Sequence, residues 1–223
     1  SHGTTSEALQ VSLVACALYA TTRLFEKHTV RRAVVLGIAL GLLALTRGWV
    51  TPFAIWLGII VLAAIRERVL LPRLILISLP LAAAITGAWV WASQQVQPHG
   101  NSPIDAWMAW NYHLVDAPSW STLQYFLKNA IWFAWPAWPF AIWAVYAWRR
   151  QHAALHITLP LTFFAALLVL ALLNSHGEEA SLLPLLPMLA ILAAFGLPTM
   201  KRGAINAVDW FSVMMLTLSL IHI

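Results

Sequence analysis

Long apolar runs separated by short polar breaks dominate the chain. Runs at residues 8–25, 33–45, 52–65, 70–92, 127–148, 154–174 and 182–198, with another from 209 to the end, each read as most or all of a membrane helix. A spanning helix needs about 20 mostly apolar residues. The pattern predicts an all-α, polytopic transmembrane bundle of seven spans plus a partial eighth. The second and third runs are short and lie close together, so they read as a tight hairpin or as parts of longer helices. Gly37 and Gly41 give the second run a GxxxG spacing, which favours close helix packing.

Between the second and third runs lies Leu45-Thr46-Arg47-Gly48-Trp49-Val50-Thr51-Pro52. Gly48 and Pro52 mark a reversal. A guanidinium at a bilayer edge is costly unless it snorkels to water or meets an anion. Arg47 is therefore either an interfacial anchor beside the belt residue Trp49 or a phosphate-binding group.

The polar segment 93–126 is the one sizeable aqueous stretch. Residues 94–103 read as loop. Residues 104–115 place Trp107, Met108, Trp110 and Leu114 at spacings of three and four, an amphipathic helix lying in the interface. Trp107, Trp110 and Leu114 are expected to face lipid or the bundle. Pro136 and Pro139, and Pro184 and Pro187, fall near the outer ends of their runs and predict irregular helix tops around a cavity.

Composition supports the membrane reading and narrows it. The 223 residues are 61% hydrophobic and 9% charged, with a mean hydropathy of +0.77; soluble domains carry roughly 25% charged residues. The net charge of +5 is scattered through short loops and does not indicate nucleic acid. One cysteine, Cys16, allows no intrachain disulfide.

Charge also orients the bundle. Eleven of the 13 Lys and Arg residues follow odd-numbered runs; Arg47 and Lys128 are the exceptions. The positive-inside rule puts the C-terminal ends of the odd runs in the cytoplasm. The opposite face then carries Glu7, Asp105, Asp116, Glu178 and Glu179, with His2, His99, His113 and His176 and both exceptional cations. That distribution is expected of a site at the outer surface, although any aqueous loop collects polar residues.

Three segments resemble bacterial family 39 glycosyltransferases of the GT-C superfamily, which includes protein O-mannosyltransferases and the lipid A aminoarabinose transferase. Leu43-Ala44-Leu45-Thr46-Arg47-Gly48-Trp49-Val50 is similar to that family's L-x-x-L-T-K-G-P-V turn. Residues 1–19 resemble the segment before it. Leu182-Leu183-Pro184-Leu185-Leu186-Pro187 is similar to a Y-L-L-P-x-x-P helix start, and residues 132–138 to a Pro-Trp-rich helix. Arg47 stands where lysine is usual, Glu7 where the family has Asp, His2 where it often has Arg, and Ser181 where it has Tyr.

The resemblance implies transfer of a sugar from a polyprenyl-phosphate donor to a lipid, glycan or protein hydroxyl outside the cytoplasmic (inner) membrane. It implies Arg47 and Lys128 as donor-phosphate ligands, and His2, Glu7, His176, Glu178 and Glu179 as site-lining groups. Glu7, Arg47 and residues 175–181 are expected to border one cavity. Three clustered polar groups without a close His pair or Cys are poor evidence for zinc. No cofactor is expected, although a divalent cation is compatible.

The family's catalytic acid would precede Ser1, so this stretch is expected to lack its general base and to be inactive alone. Residues 1–217 read as one transmembrane glycosyltransferase-like region. Residues 218–223 can be encoded by a common sequencing adapter and are expected to play no functional part. The competing readings are a secondary transporter or flippase subunit and a non-catalytic scaffold. Against the transporter, no acidic residue falls in mid-span and no inverted repeat is visible.

Overall fold

The computed structural model describes residues 3–95, 103–113, 120–151, 154–173, 179–200 and 202–221. Among them are ten helices and no strand: α1 (Gly3–Glu26), α2 (Val30–Arg47), α3 (Val50–Arg66), α4 (Arg68–Gln95), α5 (Pro103–His113), α6 (Trp120–Phe133), α7 (Ala137–Ala147), α8 (Leu155–Leu173), α9 (Ser181–Thr199) and α10 (Arg202–Ile221). The all-α expectation holds. Four helices are long and apolar enough to cross a membrane: Ser6–Glu26 of α1, then α4, α8 and α9. α3 and α7 are apolar but shorter, at 17 and 11 residues.

Two boundaries differ from the sequence reading. The run at 127–148 is not one helix, because it breaks between Phe133 and Ala137. Pro136 has no N–H to continue the ladder, and it disfavours helical backbone at the residue before it. Pro139 then sits in the first turn of α7. The run at 182–198 begins as 3-10 helix, Glu179–Leu185, which contains Pro184, and becomes α-helical at Leu186, with Pro187 next. Proline is tolerated at such starts, where the missing N–H would have no intrahelical acceptor. The expected irregular tops are present at both places.

α1 and α2 form an antiparallel hairpin. α4 also packs on α2, α8 packs on α3, and α9 packs on α7. One core joins α1, α2, α3, α4, α8 and α9 through Leu24, Leu36, Leu40, Ile55, Leu74, Phe163 and Met188, all fully buried, and a second, smaller cluster packs Ala141 and Ala144 of α7 against Ile157, Leu189 and Leu192. Gly37 and Gly41 face α4. A Cβ on Gly37 would lie 2.9 Å from the Ser78 carbonyl oxygen, and one on Gly41 2.9 Å from Ile85 Cδ1. The GxxxG spacing thus lets two backbones approach. Within α4 the ladder widens to a π turn at Leu74–Ser78. The Leu74 carbonyl there accepts from Ser78 Oγ at 2.7 Å and from Trp56 Nε1 of α3 at 3.3 Å.

This packing predicts opposite signs for two like substitutions. Gly37→Ala should lower the unfolding temperature in detergent, because its methyl meets backbone and overpacking costs about 1–3 kcal/mol. Gly87→Ala has nothing within 4 Å of its Cβ. It should be neutral or stabilising, since Ala exceeds Gly in helix interiors by roughly 0.5–1 kcal/mol.

Two of the basic junctions, between α1 and α2 and between α3 and α4, lie side by side. At the α1–α2 turn Arg23 pairs with Glu26 at 3.0 Å, and Arg32 reaches the same carboxylate at 3.8 Å. His28 in that turn pairs with Glu67 at the α3–α4 junction. The C-terminal ends of α7 and α9 also meet: Trp143 Nε1 donates to Thr199 Oγ1 at 3.0 Å, and Trp148 Nε1 to the Phe195 carbonyl at 3.3 Å.

Candidate functional site at the Arg47 turn

The reversal is tighter than the sequence suggests. α2 runs through Arg47 and α3 begins at Val50, so only Gly48 and Trp49 connect them. Gly48 holds φ 112°, ψ 169°, and its N–H donates to the Ala44 carbonyl at 3.1 Å. That backbone region is essentially restricted to glycine.

α5 clasps this turn from outside. Asn111 is buried, 3% exposed. Its Oδ1 accepts from the Val50 N–H at 3.2 Å, and its Nδ2 donates to the Trp107 carbonyl at 2.7 Å. Trp107 Nε1 donates to the Ala44 carbonyl at 3.1 Å, the same oxygen that Gly48 uses. The first-turn N–H of a helix has no intrahelical acceptor, so the Asn111 oxygen supplies one for α3. The amide occupies the space that any side chain at residue 48 would need: a Cβ there would be 2.4 Å from Asn111 Oδ1.

The clasp brings a ring to Arg47. Arg47 Cζ lies 4.3 Å from the centroid of Trp110, and Nη1 lies 3.7 Å from Glu7 Oε1 of α1. The two charged side chains are only 16% and 22% exposed. A cation over an indole face gains about 0.5–2 kcal/mol. The nearby carboxylate offsets part of the guanidinium's desolvation. At 3.7 Å the contact is an ion pair and not a short charge-assisted hydrogen bond. The Trp110 indole nitrogen is buried and has no hydrogen-bond partner among the described residues.

Beside the turn, α2, α3, α4 and α5 enclose an apolar groove of about 390 Å³. Ala44, Trp49 and Trp107 belong to both turn and groove; Leu40, Phe53 and Val90 continue it along the helices. Thr86 is its one hydroxyl, and that bonds to the Ala82 carbonyl at 3.0 Å. The groove therefore offers carbon to an occupant, and two of its lining residues, Ala44 and Trp49, lie within three positions of Arg47 in sequence.

Of the residues expected at the site, Glu7 and Arg47 come together. Lys128 is exposed on α6 and makes no ion pair among the described residues. The 3-10 turn Glu179–Leu185 packs against α1, which brings the start of α9 toward the helix that carries Glu7. The Glu179 side chain, and His2, His176 and Glu178 entirely, lie outside the described residues, as do His99, Leu114 and Asp116. Among the described residues no group of three His, Cys, Asp or Glu is placed to hold a metal ion.

The helix expected at 104–115 is present as α5. Trp107 turns toward the bundle and Trp110 toward Arg47. Asn111 was not anticipated. It sits four residues after Trp107, on the same helix face, and a lone amide on the tryptophan stripe of a short helix is the signal that marks it.

No family model, curated protein or solved structure matches the chain.

Proposed function

We propose that the chain is the membrane region of a GT-C-type glycosyltransferase. In this reading it transfers a sugar from a polyprenyl-phosphate donor to an acceptor hydroxyl on the outer face of the cytoplasmic membrane. The observation that carries the reading is Arg47, held over Trp110 and beside Glu7 in a turn whose neighbouring residues Ala44 and Trp49 line an apolar groove. Such a donor has two parts, an isoprenoid tail and a phosphate that leaves as the glycosidic bond breaks. The groove takes the tail. Arg47 meets the phosphate and stabilises the negative charge that grows on it, an electrostatic role that often dominates catalysis. A guanidinium carries five N–H donors and can serve more than one acidic partner. Glu7 neutralises and orients it until the phosphate arrives. Lys128 remains a second candidate for the phosphate.

A proton-coupled transporter relays protons through titratable groups within its spans. The buried polar residues of α1, α3 and α4 are Gln10, Thr21, Thr51 and Ser78, none of which titrates in the physiological range. The polar chemistry instead collects at a helix end, which favours the transferase.

The same reading has α2, α3 and the α6–α7 pair crossing with the four longer helices, giving seven spans and α10 as an eighth. It places Asn101, which lies outside the described residues, on the outer side and Arg149 inside. With Cys16 replaced by serine, a cysteine at 101 should react with an impermeant maleimide in intact cells, and one at 149 should react only after lysis. Labelling at 149 in intact cells would reverse the orientation. Activity is tested by sugar transfer in membranes, developed for Arg47 below.

A further inference from the structure

The end of α7 carries chemistry that the Arg47 site does not use. α7, α8 and α9 leave between them a second apolar groove, about 490 Å³, walled by Trp138, Ile142, Val145, Leu161 and Leu189 among others. Arg149 is its one charged lining residue. The guanidinium lies 3.8 Å over the Tyr146 ring, and Nη1 donates to the Tyr146 carbonyl at 2.9 Å. Arg150 follows directly, and both arginines are exposed. No carboxylate among the described residues pairs with Arg149. The sequence has no Asp or Glu between Asp116 and Glu178. One cation, Arg149, thus lines an apolar groove and a second follows it in sequence, and neither has a paired carboxylate among the described residues.

We propose that this groove binds one anionic phospholipid, with an acyl chain along α7, α8 and α9 and the headgroup phosphate at Arg149, with Arg150 adding charge from the next position in sequence. An empty groove forfeits dispersion contacts along its walls. Water gains little there, because it needs two or more polar partners. An acyl chain supplies carbon contacts along the whole length. The phosphodiester supplies the anion, which an arginine fork receives better than a point charge does. A partner helix would fill the groove but would leave the two cations unbalanced, so charge favours the lipid. Basic pockets between spanning helices are known to hold anionic headgroups. The inference rests on the membrane reading and not on sugar transfer. The groove is built from elements that do not form the Arg47 turn, so either proposal can fail without the other.

Native mass spectrometry of the detergent-purified chain tests it, with dioleoyl phosphatidylglycerol or dioleoyl phosphatidylcholine added. Phosphatidylglycerol should bind preferentially, with one copy retained. Arg149→Gln should lower its affinity about five-fold, the weight of one basic residue at an anionic lipid surface. Leu161→Trp, at a partly exposed position inside the groove, should remove the retained copy without changing charge. Arg149→Lys should keep much of the preference. Equal binding of the two lipids, a preference that survives Arg149→Gln, or an unchanged retained copy in Leu161→Trp would overturn the proposal. So would a lysine variant that behaves like glutamine, because Arg149 would then be only a cap on the Tyr146 carbonyl.

Discussion

In a parent protein competent for transfer, Arg47→Ala is expected to lower sugar transfer from a polyprenyl-phosphate donor by roughly 10²–10³-fold, the loss seen when one donor that stabilises developing charge is removed. Protein level in the membrane should change little. Arg47 ends α2, and a cation in the last turn of a helix contributes only about 0.3–1 kcal/mol through the helix dipole. Its stack on Trp110 adds a similar amount at a partly exposed site. Arg47→Lys should retain much more activity, because the charge remains while any bidentate contact is lost. An anchoring role makes the opposite forecast. Both variants would then keep specific activity, and only the amount of inserted protein would fall slightly. Transfer normalised to protein level separates the two, and an alanine variant within a few-fold of the parent would return Arg47 to the role of an interfacial anchor.

The second large effect belongs to the turn that presents Arg47. Gly48→Ala should destabilise the fold by on the order of 1–3 kcal/mol from backbone strain alone. Overlap with the Asn111 side chain, 2.4 Å from the added Cβ, makes the loss larger. Asn111→Ala should also be destabilising, by about 1–3 kcal/mol, because it leaves the Val50 N–H without its acceptor in a buried setting. The two changes must not add. Asn111→Gly relieves the overlap, so Gly48→Ala should cost less on that background than on the parent; groups in direct contact typically couple by 0.5–3 kcal/mol. Thermal unfolding of the four proteins in detergent measures the cycle. Strict additivity would mean that α5 does not clasp the turn as described.

Much of this arrangement is legible in the sequence because membrane helices announce themselves by length. The close reversal between α2 and α3, close packing at Gly37 and Gly41, and the meeting of Glu7 with Arg47 follow from apolar runs, glycine spacing and the side on which each charge falls, whereas the pairing of α2 with α1 and α4 does not. The break at Pro136 was hidden because apolar residues continue on both sides of it. Hydropathy sees composition and not the missing N–H. The Asn111 clasp was hidden for a different reason. Its value lies in where α5 docks, 61 residues from the Val50 N–H that it receives, and no local periodicity encodes that contact. The groove beside the turn is likewise a product of four helices and belongs to none of their individual patterns. Residues 175–178, expected at the same cavity, lie outside the described residues.

The central claim is that the Arg47 turn receives a lipid-linked phosphate, and binding tests it more directly than turnover. The measurement is saturation binding of a radiolabelled short-chain polyprenyl phosphate to the detergent-purified chain, with Arg47→Ala and Arg149→Gln alongside. Saturable binding to the parent that is lost in Arg47→Ala and kept in Arg149→Gln is the predicted result. Absence of saturable binding, or binding that Arg47→Ala leaves unchanged, would contradict it.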